Sequence, residues 1–187
     1  MLIKAILLFL LSLTIYPTSS SAKEVELQIT RIDRNGIILE NGDSLIWAGL
    51  DFNNLKSSKT PAAVFSRELN DYLKSFRGQK IVVEVEPNIR TLRNTEAAYI
   101  YYFTDSSGIS MSDQGVAARA FLKIDSVRKD ESGRLKAQIK PTVKVMLNLE
   151  LVKKGLARVQ ERQNFRHKRA FLLAEREAQL DQIGIWE

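Results

Sequence analysis

The chain has no cysteine in 187 residues, so neither a disulfide framework nor a lipid-modified cysteine is part of its design, and a packed core must supply the stability. Histidine is nearly absent too. His167, the one present, sits in a basic run with no nucleophile pattern beside it, and reads as a solvated helix residue rather than a catalyst. There is no internal repeat, and the serine run at 19–21 is the only low-complexity tract. The longest apolar run, residues 5–16, is too short to cross a bilayer as a mature helix.

That run has another reading. Lys4 precedes it, and Pro17 with Thr18, Ser19, Ser20, Ser21 and Ala22 follows, which is the charge, apolar stretch and small-residue order of a secretory signal. Cleavage is expected after Ala22, giving a secreted or periplasmic protein with no membrane span, an uncleaved anchor being the alternative. Loss of residues 1–22 removes one charged side chain and leaves +5 over 165 residues, the length of one compact domain. A modest positive charge admits nucleic acid or another anionic polymer as a partner, and is equally compatible with ordinary solubility.

From Val25 to Gly49 the residues favour short antiparallel strands, cut by the turn signals Asn35-Gly36 and Asn41-Gly42. Thr60-Pro61 is an N-cap followed by a first-turn proline. Phe65, Leu69, Tyr72, Leu73 and Phe76 then make one apolar helical face that Gly78 ends. Residues 80–86 read as the next strand. A strand-like AAYIYYF (97–103), a Ser/Gly/Asp-rich stretch (104–115) and AFLKIDSV (120–127) suggest an extra hairpin with a loop. Residues 133–147 are strand-like with Pro141 interrupting; a short helix is expected over 149–158, ended near Gly155, and a last helix over 164–182.

The segment DRNGIILENGDSLIWAGLDFNN (33–54) resembles the first half of the staphylococcal nuclease family, whose pattern is D-G-D-T, a hairpin, then R-L-x-G-I-D-T-P-E. NLELVKKGLARV (148–159) and LLAEREAQLDQIGIW (172–186) are similar to its carboxyl-terminal motifs. The resemblance covers roughly 25–87 and 130–187. It implies a mainly β domain over 23–187, a five-stranded OB-fold β-barrel with three helices, with 88–129 as an inserted hairpin and loop.

Family enzymes are calcium-dependent phosphodiesterases that use a glutamate base, two arginines on the phosphate, and aspartates on the metal. Carried over residue by residue, the metal positions fall on Asp51 and, as a weaker neutral ligand, Asn35. Phe52 follows as a backbone-carbonyl position. The glutamate falls on Asn54, which cannot accept a proton at neutral pH, and the first arginine falls on Ile46, which cannot bind an anion. The second arginine falls on Arg134 if Asp130-Glu131-Ser132-Gly133-Arg134 is the family's D-x-x-G-R, the preferred alignment. It falls on Thr95 if AAYIYYF is the family's L-A-Y-I-Y strand.

A missing base costs about 10² to 10⁴ in rate and a missing charge stabiliser on the order of 10² to 10³, so little nuclease activity is expected; calcium is the cofactor only if some remains. Asp33 is expected to support the turn before Gly36. Glu40 and Asp43 read as solvated hairpin residues, and Asp113 as a carboxylate that nothing places. Trp47 and Trp186 read as packing residues. Lys153, Lys154, Arg158, Arg162, Arg166, Lys168 and Arg169 form a basic region, and Tyr99, Tyr101 and Tyr102 are candidates for base stacking. Three readings stay open: a non-catalytic module binding nucleic acid, another anionic polymer or a protein; a divergent calcium-dependent nuclease with a rebuilt site; and a structural envelope interaction protein.

Overall fold

Turn chemistry divides the amino-terminal half into short strands. The computed structural model describes residues 26–53, 55, 61–89, 95–105, 119–129 and 135–187, of which 119–129 and 135–141 as backbone. In it β1 (Glu26–Asp33), β2 (Gly36–Leu39) and β3 (Ser44–Trp47) form an antiparallel meander. Gly42, at φ +88°, gives the β2–β3 hairpin its left-handed residue. Leu39 closes that turn, its N–H donating to the Asp43 carbonyl at 3.0 Å. The two-residue strand β4 (Leu50–Asp51) follows.

Pro61 starts the helix α1 (Ala62–Lys74), its carbonyl accepting from the amides of Val64 and Phe65. The expected N-cap, Thr60, lies outside the described residues. Phe65, Leu69 and Leu73 are the buried face, as their spacing predicts. β5 (Lys80–Val85) then returns antiparallel to β1.

β6 (Glu96–Asp105) decides the architecture. It pairs antiparallel with β5 and parallel with β3, through Leu45↔Glu96, Ile46↔Ala97 and Trp47↔Ala98, closing β1, β2, β3, β6 and β5 into a five-stranded OB barrel. Adjacent residues Tyr99 and Ile100 are both buried, because the barrel interior lies on one face of β6 and the approach to the last helix covers the other. AAYIYYF is therefore a barrel strand and not part of an inserted segment. The expectation of one insertion over 88–129 gives way to an added element that begins after β6.

That element is a long ribbon of β7 (Arg119–Lys129) and β8 (Leu135–Met146). The barrel-side end of β8 pairs with β6, from Tyr101↔Met146 to Asp105↔Thr142; beyond it, among the described residues, β7 alone accompanies β8. Pro141 falls one residue past the last β6 pair, where β8 has, among the described residues, a neighbour on one side alone and a missing N–H is tolerated.

The helix α2 (Leu147–Lys153) starts directly after β8 and stops earlier than the expected 149–158. Gly155, at φ +60°, turns the chain there. A Cβ on Gly155 would stand 2.2 Å from the Ile183 carbonyl oxygen, so the chain's end packs directly against this turn. β9 (Arg158–Val159) pairs with β4, and α3 (Lys168–Leu180) is shorter than the expected 164–182. A 3-10 turn, Gly184–Trp186, ends the chain.

Buried Asn148 holds the barrel seam. Its Oδ1 accepts the Ile100 N–H at 2.9 Å, and its Nδ2 donates to the carbonyls of Ala48 at 3.1 Å and Ala98 at 3.0 Å. One side chain thus joins the β3 corner, β6 and α2.

Candidate functional site

The β1–β2 turn, β3 and β4 meet at one end of the barrel around an open cleft of about 410 Å³. Asn35 comes from the turn, Ile46 from β3 and Asp51 from β4, so three residues singled out in the sequence do share one wall. Arg34 and Gln160 line it as well. Neither was singled out. Arg34 also borders a hollow of about 220 Å³ beside Phe65 and Leu69 of α1, and it forms no ion pair among the described residues. Its position next to Asn35 was the available signal.

The donor set is sparse. Asp51 is the only carboxylate among the described residues of the cleft, and its Oδ1 already accepts from the Asn53 N–H and Nδ2, both at 2.8 Å. Among the described residues no three His, Cys, Asp or Glu side chains stand together as a metal cluster. A calcium ion takes six to eight oxygens, with carboxylates prominent. Among the described residues, one carboxylate, the amides of Asn35 and Asn53 and a backbone carbonyl at Phe52 are a smaller and less charged set than a resident calcium takes. Asn54, Asp113 and Arg134 lie outside the described residues.

The remaining carboxylates are employed locally. Asp33 Oδ1 accepts the Asn35 N–H at 2.8 Å, Asp43 is bonded to Asn41 at 2.6 Å, and Glu40 accepts from the Gln28 amide at 3.2 Å. Trp47 is buried, its indole N–H donating to the Asp33 carbonyl at 2.9 Å. Trp186 packs against the core with Arg158 at 4.9 Å over its ring.

The seven-residue basic region is not one face. Arg166 pairs with Glu84, Lys154 lies 3.7 Å from Glu150, and Lys168 donates to the Glu161 and Gln163 carbonyls at 2.5 and 3.0 Å. Lys153, Arg162 and Arg169 have no ion-pair partner among the described residues and stand on separate segments. His167 is a correction. It is 21% exposed, packs edge-on to Tyr99 at 4.6 Å, and its Nε2 stands 3.8 Å from Glu84. Tyr99 and Tyr101 are not stacking platforms, because both rings are buried, and each of the three hydroxyls donates to a carboxylate: Tyr99 to Glu86 at 2.7 Å, Tyr101 to Glu84 at 2.8 Å and half-buried Tyr102 to Glu150 at 2.5 Å. Burial, then the hydrogen bond to Glu86, pushes the Tyr99 hydroxyl above its usual range.

Glu86 is the centre of that cluster. Burial pushes its carboxyl up, but donors from the Arg166 N–H, Tyr99 and both amides of Asn88 outweigh it and hold the group below the usual range. This arrangement fastens the approach to α3 onto β5.

A family model described as staphylococcal nuclease homologue matches residues 86–187, from the end of β5 through β6, the ribbon and both carboxyl-terminal helices. The chain belongs to the staphylococcal nuclease family. No curated protein matches it. AAYIYYF is the strand that closes the barrel, as the alternative alignment with the family's L-A-Y-I-Y strand requires, and in that alignment Thr95 takes the second arginine's position.

Proposed function

We propose that the protein is an exported nuclease-fold module that holds a nucleic acid or related anionic polymer without hydrolysing it. The observation that carries this reading is the cleft wall: Ile46, on which the sequence resemblance sets the family's first arginine, lies beside Asp51, the single carboxylate among the described lining residues and already bonded. An apolar residue there cannot stabilise the charge that develops on a phosphoryl group. Arg34 still offers one cation to the cleft, which suits retention of a phosphate. No helix among the described residues is long and apolar enough to cross a membrane.

The test uses labelled single- and double-stranded DNA and RNA with calcium or a chelator, scoring cleavage and retention together, with Asp51→Ala as control. Retention that weakens with salt, without cleavage, supports the reading. Calcium-dependent cleavage that Asp51→Ala abolishes overturns it in favour of a divergent nuclease, which the pairing of Arg34 and Asp51 in one cleft favours. Neither signal moves the assignment to an envelope interaction role.

A further inference from the structure

The charge of this protein is concentrated on one element. The described residues of β7 and β8 hold seven cations and one acid, Asp125, while the whole chain has a net charge of +6. Residues 130–134 between them contribute two acids and one arginine by sequence, which leaves the ribbon strongly basic.

The register places those cations opposite one another. Arg119 pairs with Lys144, Lys123 with Lys140, and Arg128 with Lys136. Directly paired residues share a face of an antiparallel ribbon, and positions 136, 140 and 144 of β8 share one face by the two-residue period. On β7 the spacing from 119 to 123 to 128 would break that face, but an irregularity between Ile124 and Ser126 absorbs the odd residue and returns Arg128 to it. Six cations thus occupy three cross-strand rungs on one face. The opposite face takes the uncharged pairs Ala120↔Val143, Leu122↔Pro141, Ile124↔Ile139 and Val127↔Ala137, and at its far end Lys129↔Leu135 with the one remaining cation.

Like charges directly opposite each other destabilise a strand pair, so a ladder of three such rungs works against the ribbon's own folding. A linear polyanion reverses that sign. Neighbouring rungs lie four β8 residues apart, about 13 Å, and the three span roughly 26 Å at about 3.3 Å per residue. Duplex DNA presents its phosphates continuously along such a length, and its major groove, about 12 Å wide, admits a two-stranded ribbon. At the barrel end the ladder continues into protein: Lys144 lies 4.6 Å from the Tyr101 ring, whose hydroxyl donates to Glu84, the partner of Arg166.

We propose that the β7–β8 ribbon is a docking arm for double-stranded nucleic acid, gripping the phosphate backbone through the Arg119/Lys144, Lys123/Lys140 and Arg128/Lys136 rungs. The proposal rests on the reading that the partner is nucleic acid, and it moves the grip from the barrel cleft to the ribbon. Binding by the arm is independent of base sequence and strongly salt-dependent.

The test measures retention of a 24-base-pair duplex by the purified protein across a salt series, comparing wild type with Lys123→Gln/Lys140→Gln and with Arg34→Gln. In the rung variant the slope of log K against log salt becomes shallower by about 0.9 per cation lost, and affinity at 0.15 M salt falls by roughly ten-fold or more. The variant removes a like-charge rung, so its melting temperature stays level or rises, which separates lost binding from lost folding. An unchanged slope in the rung variant, with binding lost in Arg34→Gln, overturns the arm and leaves the polymer-binding reading standing. Absence of duplex binding by wild type overturns the arm, and absence of single-strand binding as well overturns the nucleic-acid reading on which it rests. Wild-type binding to phosphatidylglycerol vesicles in place of duplex assigns the ladder to an anionic membrane surface and overturns the proposal.

Discussion

Substituting Asn148 by alanine tests whether one side chain holds the barrel closed. The change removes three hydrogen bonds at the seam. The Ala98 carbonyl keeps the Ala48 N–H at 3.0 Å, so two buried backbone groups, the Ile100 N–H and the Ala48 carbonyl, lose their partners. An unsatisfied buried group costs about 1–3 kcal/mol, which puts the loss at about 4 kcal/mol for the pair. Against a total stability of about 5–15 kcal/mol this is a large fraction. At roughly 2–4 °C per kcal/mol for a domain of this size, the melting temperature falls by about 8–16 °C. Calorimetry gives that shift, and amide exchange at Ile100 localises it. A fall under about 3 °C, or Ile100 protection equal to wild type, refutes the reasoning, because the seam would then be held by its strand pairing alone.

Two further changes have opposite signs with pH. Glu86 is held below the usual carboxylate range, so it stabilises the fold above its unfolded value, and that contribution is lost as pH falls through the lower folded value. Glu86→Gln is expected to lower stability at pH 7 and to flatten its loss on acidification, seen in melts from pH 7 to pH 3. Burial pushes Glu175 up despite the Val159 N–H at 2.9 Å, so its contribution is present at low pH and is lost as pH rises through the raised value. Glu175→Gln keeps an acceptor for Val159 and is expected to raise the melting temperature at pH 7 and not at pH 4; a fall at both would reverse the assignment. Ile46→Arg returns a guanidinium to the cleft wall and is expected to tighten binding of inorganic phosphate by about ten-fold or more, measured by titration calorimetry. No change would mean that the cleft does not receive anions.

Local signals were legible because their causes are local. The Asn41-Gly42 hairpin follows from a glycine that tolerates positive φ, and α1 follows from the spacing of Phe65, Leu69 and Leu73. β6 read as an insertion because AAYIYYF is buried on both sides, which hides the alternation that would name its faces, and its parallel partner β3 lies far back in the chain. His167 was misread for a related reason: Tyr99 and Glu84, which surround it, arrive from the barrel. The cation ladder escaped notice because its β7 members are four and then five residues apart, a period no regular strand has until the irregularity before Ser126 is known. In the cleft, Asn35, Ile46 and Asp51 were found through family motifs, whereas Arg34 had no motif to announce it.

The parallel seam between β3 and β6 also sets an order in time. The β1–β2–β3 meander is built of near neighbours and forms within microseconds, while the seam waits for α1 and β5 to be laid down first. As the chain emerges from a ribosome or an export channel, residues up to Val85 have assembled a half-barrel with β3 and β5 as open edges. Open strand edges recruit other strands. β6 covers both edges as soon as it follows, so the exposed interval lasts as long as synthesis of the segment from Val85 to Asp105, and Asn148, which emerges only after the whole ribbon, fastens a seam already paired.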